Sequence, residues 1–530
     1  MRRRSFLRNT VPAAAVLPAL VDGYTVKAFN ANSPLLQALM NPTIDTDHVL
    51  VIVQLSGGND GLNMVIPIST YSDYYNARTN VAIAQNKILP LNGYSATGLH
   101  PAMTGMQSLY NDGKLNIVQA VGYPSPNFSH FRATDIWMSG SSADEVINTG
   151  WAGRYLNTEY PNFPEGYPNS TMPDPLAIQI GSIASLTLQG PAINMGMSIT
   201  NPTSFYNLIN NVLDPAPNNP MGHELTYIRT IANQTNAFAQ RIISAAMQVP
   251  QQGAYPANNS LADQLRIVAR LVKGGLKTRI YMVGMGGFDT HSSQTEAADT
   301  SIGSHASLLK ELSDAIKAFM DDCQFLGIQD RVMGLTFSEF GRRIKSNSSM
   351  GTDHGAAAPM FIFGSQSVSG VTGNNPSIPG GASVNDNIPH QYDFRSVYAS
   401  ILEKWFCVPP ATLQTILFQN FQSLNIVKDT ACRTTAVDDP NQTAGEQLII
   451  NYPNPFTDTT TIRYKTKGGH TLVQIIDMLG RVIKTPVDRD IRPGGEFTVT
   501  FDSGGLPCGV YYARLQNGPT QQVRPTLKVR

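Results

Sequence analysis

Three apolar runs in this chain each end in a small, polar motif. Val49–Val53 leads through Gln54 and Leu55 into Ser56-Gly57-Gly58-Asn59-Asp60-Gly61. Ile280–Val283 leads into Gly286-Gly287-Phe288-Asp289-Thr290-His291. Val332–Phe337 leads into Ser338-Glu339-Phe340-Gly341-Arg342, and then into Gly351-Thr352-Asp353-His354-Gly355. Continuous apolar runs are the pattern of strands buried on both faces of a parallel sheet. Ligands of open α/β sheets bind beyond the carboxyl ends of such strands. The acids and histidines that follow these runs are therefore candidates for one shared site, although they lie far apart in sequence.

Helical periodicity fills the intervals. Ser304–Leu326 is the clearest case: Leu308, Leu312, Ile316, Phe319, Met320 and Cys323 share one face, and Lys310, Glu311, Asp314, Lys317 and Asp321 the other. Further helices are predicted at His100–Asp112, Arg132–Met138, Thr226–Met247, Leu261–Val272 and Asp393–Phe406, and further strands at Leu115–Val121 and Phe361–Phe363. Residues 158–220, rich in Pro, Asn and Gly, read as an irregular excursion. Ser365–Pro389 reads as a loop of the kind found around active sites. Alternating helices and apolar strands over residues 45–427 predict an α/β domain with a mostly parallel sheet flanked by helices. The polar stretch 428–446 reads as a linker. From Gln447 to Arg530 the helical periodicity stops, and about six short β-type runs between turns predict a small all-β sandwich.

At 530 residues, two or three domains are expected. The balance of 42% hydrophobic and 14% charged residues argues against wholesale disorder. Equal numbers of basic and acidic residues give no positive field for nucleic acid. The four cysteines form no CxxC, which argues against a zinc–thiolate site. Cys407 and Cys432 can bridge, but free buried thiols are the expectation. Near the N-terminus, Arg2-Arg3-Arg4-Ser5-Phe6-Leu7-Arg8 precedes a short apolar run that ends at Val21, too short to span a bilayer. That order resembles a twin-arginine signal, with an ordinary export signal or a basic tail as alternatives. The segment 1–30 is read as export signal and leader, and residues 1–21 would engage the twin-arginine translocase.

Asp60, Asp289, His291, Asp353 and His354 form the central constellation, since zinc and similar cations take imidazole and carboxylate ligands. The alternative is that these residues hydrogen-bond loops over the sheet. Ser129, in Asn127-Phe128-Ser129-His130-Phe131, is either a nucleophile at a helix start or only an N-cap. His130 is a ligand or orients the loop. Glu339 is a ligand, a base, or a partner of Arg342 or Arg343, and pairing with arginine is the commoner case. His390 can complete a ligand set or be exposed. Exposure is also the default for His48, His223 and His470, and His100 and His305 read as helix starts.

Two resemblances join these pieces. Asn451-Tyr-Pro-Asn-Pro-Phe456, Ile476-Asp-Met-Leu-Gly-Arg-Val482 and Gly505-Leu-Pro-Cys-Gly-Val-Tyr-Tyr512 resemble the C-terminal sorting domain of the type IX secretion system, over residues 447–530. The alternative there is a generic carbohydrate-binding sandwich, although none of the three Trp lies in the module. The resemblance implies type IX machinery as a partner. It also implies a product that is secreted, or held at the outer-membrane surface, by a Bacteroidota-type bacterium after periplasmic transit.

Gln54–Gly61, Ser129–Phe131, Gly150-Trp-Ala-Gly-Arg154, Gly287–His291, Ser338–Arg342 and Gly351–Gly355 together resemble the DUF1501 family. That family is similar to the alkaline phosphatase and sulfatase superfamily. What this implies is an alkaline phosphatase-like fold and divalent metal, zinc first and Mg, Mn or Ca otherwise. Asp60, Asp353 and His354 would hold one ion beside the nucleophile Ser129, and Asp289, His291 and His390 a second. The implied activity is metal-dependent hydrolysis of phosphate or sulfate esters of a small molecule or glycan. Three departures stand out: only Thr290 separates Asp289 from His291, where the superfamily commonly has three residues; Ser129 lies further along the chain from Asp60 than the resemblance leads one to expect; and no C-x-P-x-R motif occurs. They keep open a catalytically silent surface or binding protein on the same fold.

Overall fold

Val49–Leu55 is the centre of a nine-stranded sheet (β1). The computed structural model describes residues 46–202, 235–429, Cys432 and most of 447–529, with two short strands at 20–21 and 24–25. Numbered in chain order, the other strands of this sheet are β2 (Leu115–Gly122), β3 (Ala177–Ile180), β4 (Gly196–Ile199), β5 (Ile280–Met285), β6 (Val332–Phe337), β7 (Ala358–Phe363), β8 (Gly370–Thr372) and β9 (Tyr392–Asp393). Their spatial order is β8-β2-β7-β6-β1-β5-β3-β4, with β9 beside β2. Neighbours run parallel except at β7, which is antiparallel to both β6 and β2. The sheet is the mostly parallel one that the apolar runs predict.

Its two faces are covered by different helices. Val49, Val51, Val53 and Leu55 pack on one side with Leu265 and Val268, and with Leu312, Ile316 and Phe319. Leu50 and Ile52 pack on the other with Trp137, Tyr398 and Ile401. The helices that supply these residues are α1 (His130–Ser139), α2 (Ser260–Lys273), α3 (Ser304–Phe325) and α4 (Phe394–Lys404). A strand buried on both faces needs apolar residues at every position, which explains the unbroken run at β1.

Register places the site. Met285 of β5 pairs with Leu55, and Phe337 of β6 with Gln54. Three parallel strands thus stop level with one another, and the motifs that follow them emerge along one edge. A two-stranded ribbon, Arg342–Ser346 with Thr352–His354, carries the last motif back to that edge, with Arg342 opposite His354.

The structure departs from expectation in several places. The stretch 158–220 is not all irregular: β3 and β4 lie within it and extend the sheet. Each is four residues long and set among turn formers, too short to show a period. Ser365–Pro389 likewise contributes the edge strand β8. A small antiparallel sheet (Val65–Pro67, Leu89–Leu91, Tyr94–Leu99) was not expected. Finally, Cys407 and Cys432 are disulfide-bonded with Cα atoms 5.4 Å apart, against the expectation of free thiols; only Cys323, buried, and Cys508, exposed, are free. A separation of 25 residues says nothing of spatial distance, and the fold brings the two together.

The predicted helix Thr226–Met247 is described from 235 to 247 and is helical there. The signal segment 1–30 (apart from the short strands at 20–21 and 24–25), His223, and nearly all of the linker 428–446 beyond Asp429 lie outside the described residues.

The chain divides into two compact units, Ile44–Cys432 and one that contains the C-terminal strands. In the latter, seven strands between Gln447 and Lys528 form a three-stranded and a four-stranded antiparallel sheet. Ile462, Tyr464 and Phe501 of the first share a core with Val473, Ile475, Ala513 and Leu515 of the second. Thr459–Thr466 alternates exposed and buried without exception, the mark of a strand with one wet face. No helix among the described residues is long and apolar enough to cross a membrane.

Candidate metal centre

Three imidazoles and one carboxylate meet at the sheet edge. The Asp289 Oδ1 lies 3.2 Å from Nε2 of His354 and 3.2 Å from Nε2 of His291. Its Oδ2 lies 3.5 Å from Nε2 of His130. The two Nε2 atoms of His291 and His354 are 2.9 Å apart. His130, Asp289 and His354 form a group whose ligand atoms all lie within 4.8 Å of one another.

The far side of each ring decides what the near side offers. His130 Nδ1 is 2.8 Å from Glu339 Oε1, His291 Nδ1 is 3.0 Å from Asp353 Oδ1, and His354 Nδ1 is 2.8 Å from the Phe128 carbonyl. Each acceptor claims an N–H, so in a neutral ring Nε2 carries a lone pair and points inward. Lone pairs cannot face each other at 2.9 Å unless a proton or a cation lies between them. Ligating histidines have this arrangement, with the second ring nitrogen donating to a carboxylate or a carbonyl. Size agrees as well. Asp289 Oδ1 and the Nε2 atoms of His291 and His354 form a triangle with sides of 2.9, 3.2 and 3.2 Å. The point equidistant from them is about 1.8 Å from each, close to the about 2.0–2.1 Å of a zinc–nitrogen or zinc–oxygen bond.

Buried groups hold the donors in place. Arg342, fully buried, donates through Nη2 to Asp289 Oδ1 at 2.7 Å and also binds the carbonyls of Gly57, Gly58, Phe288 and Thr352. One guanidinium thus clamps three of the converging motifs. Burial works against the Asp289 carboxylate, but the hydrogen bond and charge of Arg342, joined by His354 and His291 where those rings are protonated, outweigh it and hold its pKa at about 2. Asp353 is likewise held below its usual value: partial burial opposes this, and Asn347 and His291 prevail. Burial lowers the pKa of His354, with Arg342 and His130 adding to the effect against the Phe128 and Asp289 hydrogen bonds. Glycine matters at two contacts. A Cβ on Gly57, which has φ +124°, would stand 2.4 Å from the Asp289 nitrogen, and one on Gly355 would stand 2.2 Å from the Arg342 carbonyl carbon.

Several residues expected at the site have other roles. Asp60 is 1% exposed and does not join the donors; both its oxygens accept from Arg78 Nη1, at 2.8 and 2.7 Å, and Oδ2 accepts from Gln294 Nε2. Arg78, also buried, continues to the carbonyls of Arg343 and Ile344 and so ties Asp60 to the ribbon. His390 is exposed and outside the cluster. Asp353 stands behind His291. Glu339 does not pair with Arg342 or Arg343; its Oε1 accepts from the Gly57 N–H and faces His130.

Ser129 is the N-cap residue of α1, exposed, and its side chain makes no capping bond. It lies between Phe128, whose carbonyl holds His354, and His130. His48 is not freely exposed: its ring stacks on Trp405 with centroids 3.8 Å apart. His470 is exposed, beside Asp488. His305 lies in the first turn of α3 and His100 shortly before a helix, both buried. Sequence reasoning missed Arg78, Gln294 and Asn347, for which no local signal exists.

Two family models match parts of the chain. Residues 206–402 match the family described as "Protein of unknown function (DUF1501)". Residues 451–528 match the "Secretion system C-terminal sorting domain", which implies handling by the type IX secretion system. No curated protein matches the chain. Among solved structures, the sulfatase PsFucS1 from Pseudoalteromonas sp. is similar at 11% identity and TM-score 0.31, over 85% of this chain and 83% of that one. A protein in the alkaline phosphatase superfamily from Vibrio parahaemolyticus is similar at 10% identity and TM-score 0.29, over 100% and 92%. The phosphonate monoester hydrolase of Agrobacterium radiobacter is similar at 8% identity and TM-score 0.30, over 91% and 88%. Likeness at this level assigns no residue a role.

Proposed function

We propose that the chain is an exported, metal-dependent hydrolase of phosphate or sulfate esters. One observation carries the reading: three Nε2 atoms converge on Asp289 while every Nδ1 is held by an acceptor. His130, Asp289, His291 and His354 are the donors, and Glu339, Asp353, Arg342 and the Phe128 carbonyl hold them. Zinc suits a set of imidazoles and one carboxylate best. A divalent ion there supplies Lewis-acid polarisation of an ester oxygen and favours the ionised form of a nearby hydroxyl. Ser129 is the nucleophile, because its hydroxyl is exposed, free of a capping bond and next to His130. The first backbone N–H groups of α1 face the same end and favour the negative charge of the group being transferred. Residues 1–21 engage the twin-arginine translocase and the C-terminal module the type IX machinery, so the site acts outside the cell.

Metal analysis of the purified protein tests the reading. About one equivalent of Zn, or of Mn, Mg or Ca, is expected, together with turnover on a panel of phosphate and sulfate esters. Absence of all four, with unchanged stability in chelator, would sink it. With metal present, a Ser129→Ala variant that keeps full turnover removes Ser129 from the nucleophile role. A second reading, a silent metal-binding surface protein, is favoured by the single donor set, with Asp60 and His390 outside it. Metal without turnover on any ester would support that reading.

A further inference from the structure

The Asp289-Thr290-His291 motif is short, and burial alternates along it: Asp289 and His291 are about half exposed, whereas Thr290 is 5% exposed. The flanking side chains go out to the donor cluster and the middle one goes into the protein. Thr352 is buried too, one residue before Asp353 and two before His354. Both inward hydroxyls end on the same atom. Gln294 Oε1 lies 3.1 Å from Thr290 Oγ1 and 2.8 Å from Thr352 Oγ1. The other end of that amide, Nε2, donates to Asp60 Oδ2 at 2.6 Å.

Charge sets the direction of these bonds. Asp60 is the ionised partner of Arg78, and a carboxylate only accepts. It takes the NH2 end of Gln294, which turns the amide oxygen to the threonines, so each hydroxyl donates. Gln294 is completely buried, and its backbone is held independently of its side chain: its N–H donates to the Met350 carbonyl at 2.8 Å, and its carbonyl accepts from the His305 N–H at 3.2 Å. Between the two threonines themselves the backbone supplies one bond, from the Thr352 N–H to the Thr290 carbonyl at 3.1 Å. The amide adds a second tie through their side chains.

We propose that Gln294 is a positioning residue of the metal centre: its side chain, oriented by Asp60, fixes Thr290 and Thr352 together and so holds Asp289, His291 and His354 at the spacing one ion needs. The inference rests on the proposed metal site and not on the identity of any ester. It gives the short Asp-x-His spacing a function, since the residue between the two donors is the anchor that turns both toward the ion. An amide can turn over and a hydroxyl can donate or accept, so replacing Asp60 by Asn reverses these bonds without breaking the link.

The test measures zinc affinity by competition with a chelating dye, and the visible absorption of the cobalt-substituted full chain. Gln294→Met removes both ends of the amide and should weaken zinc about tenfold and shift the cobalt band. Thr290→Val with Thr352→Val removes only the two donors and should do the same; if Q294M fails to fold, this pair carries the test. All three substitutions together should cost no more than the larger of the two losses, because they break one link. Tyr74→Phe cuts buried bonds to Asn63, which also accepts from Arg78, and to the Ile83 N–H, and touches neither threonine. It should lower the melting temperature and leave zinc affinity and the cobalt band as they are. Wild-type affinity and spectrum in Q294M or in the double Val variant, additive losses in the triple variant, or an equal loss of affinity in Y74F overturns the proposal. If the wild-type chain binds neither zinc nor cobalt, the metal reading has failed, and the ring resonances of isotope-labelled histidines decide the positioning. His291 and His354 signals that move in Q294M support it, and signals that stay overturn it.

Discussion

Replacing Asp60 by Asn separates a ligand from a support. Asp60 is 1% exposed and Arg78 0%, and two of the three hydrogen bonds to the carboxylate come from the guanidinium. Burial raises the Asp60 pKa, and the charge of Arg78 and its hydrogen bonds more than reverse this, so the folded protein holds the pair as ions. The amide leaves a buried guanidinium without a counter-charge, which costs about 3–5 kcal/mol when one partner of a buried pair is removed. The unit Ile44–Cys432 has 389 residues. At about 2.1 cal/mol/K per residue its unfolding entropy is about 0.8 kcal/mol/K, so the variant should melt about 4–6 °C lower. Calorimetry measures that shift, and metal analysis of the same sample measures occupancy. The expected result is a lower melting temperature with unchanged metal content. Loss of metal with little change in melting temperature would refute the assignment and restore Asp60 to the ligand set.

Three other outcomes follow from the same geometry. Glu339→Gln weakens the hold on His130 and should lower metal affinity about 10–100-fold; competition with a chelating dye measures this, and an unchanged affinity refutes the orienting role. Removing the Cys407–Cys432 bridge as a double Ala variant opens a loop of about 26 residues and should cost about 3–4 kcal/mol in urea unfolding; no change in midpoint counts against the bridge.

Acid should destabilise the unit well above the carboxylate range. Burial depresses His305 to about 4; burial and His305 depress His100 to about 3, whereas both titrate near 6.5 when unfolded. Their stabilising contribution is complete above pH 6.5 and is lost as pH falls toward the folded values, at up to about 1.4 kcal/mol per unit for each group. Asp289 adds to the loss only below its unfolded value of 3.8. Melting temperature against pH from 7 to 4 checks this, and a flat profile refutes it.

What could be read in the sequence was what has a period or an unbroken run. β1, β5 and β6 declared themselves because burial on both faces demands apolar residues throughout, and parallel register then forces their motifs to one edge. α3 declared itself by its stripe. β3 and β4 did not, since four residues among prolines and asparagines carry too little pattern. At the site, residue types were legible and partners were not. His130 and Glu339 lie 209 positions apart and Asp60 pairs with Arg78, yet an isolated Asp after a strand looks the same whether it will meet a metal or a guanidinium. The choice depends on where a second, distant side chain arrives, and only the fold sets that.

The charges at this edge are layered. Arg78, Asp60, Arg342 and Glu339 are buried to within 1% exposure, whereas Asp289, His291 and Asp353 are about half exposed. The lower layer is expensive to desolvate and is fully hydrogen-bonded, so it can hold only one arrangement. The upper layer would be soft if it stood alone, because exposed imidazoles and carboxylates gain little from pairing with each other. Arg342 joins the layers by fixing one oxygen of Asp289, and Glu339 does so by fixing one nitrogen of His130. What remains free is the inner face of each donor, which is what a site arranged before its ligand arrives requires. Damage below should therefore appear first as lost stability and damage above as lost metal, while variants of Arg342 and Glu339, which belong to both layers, should show both.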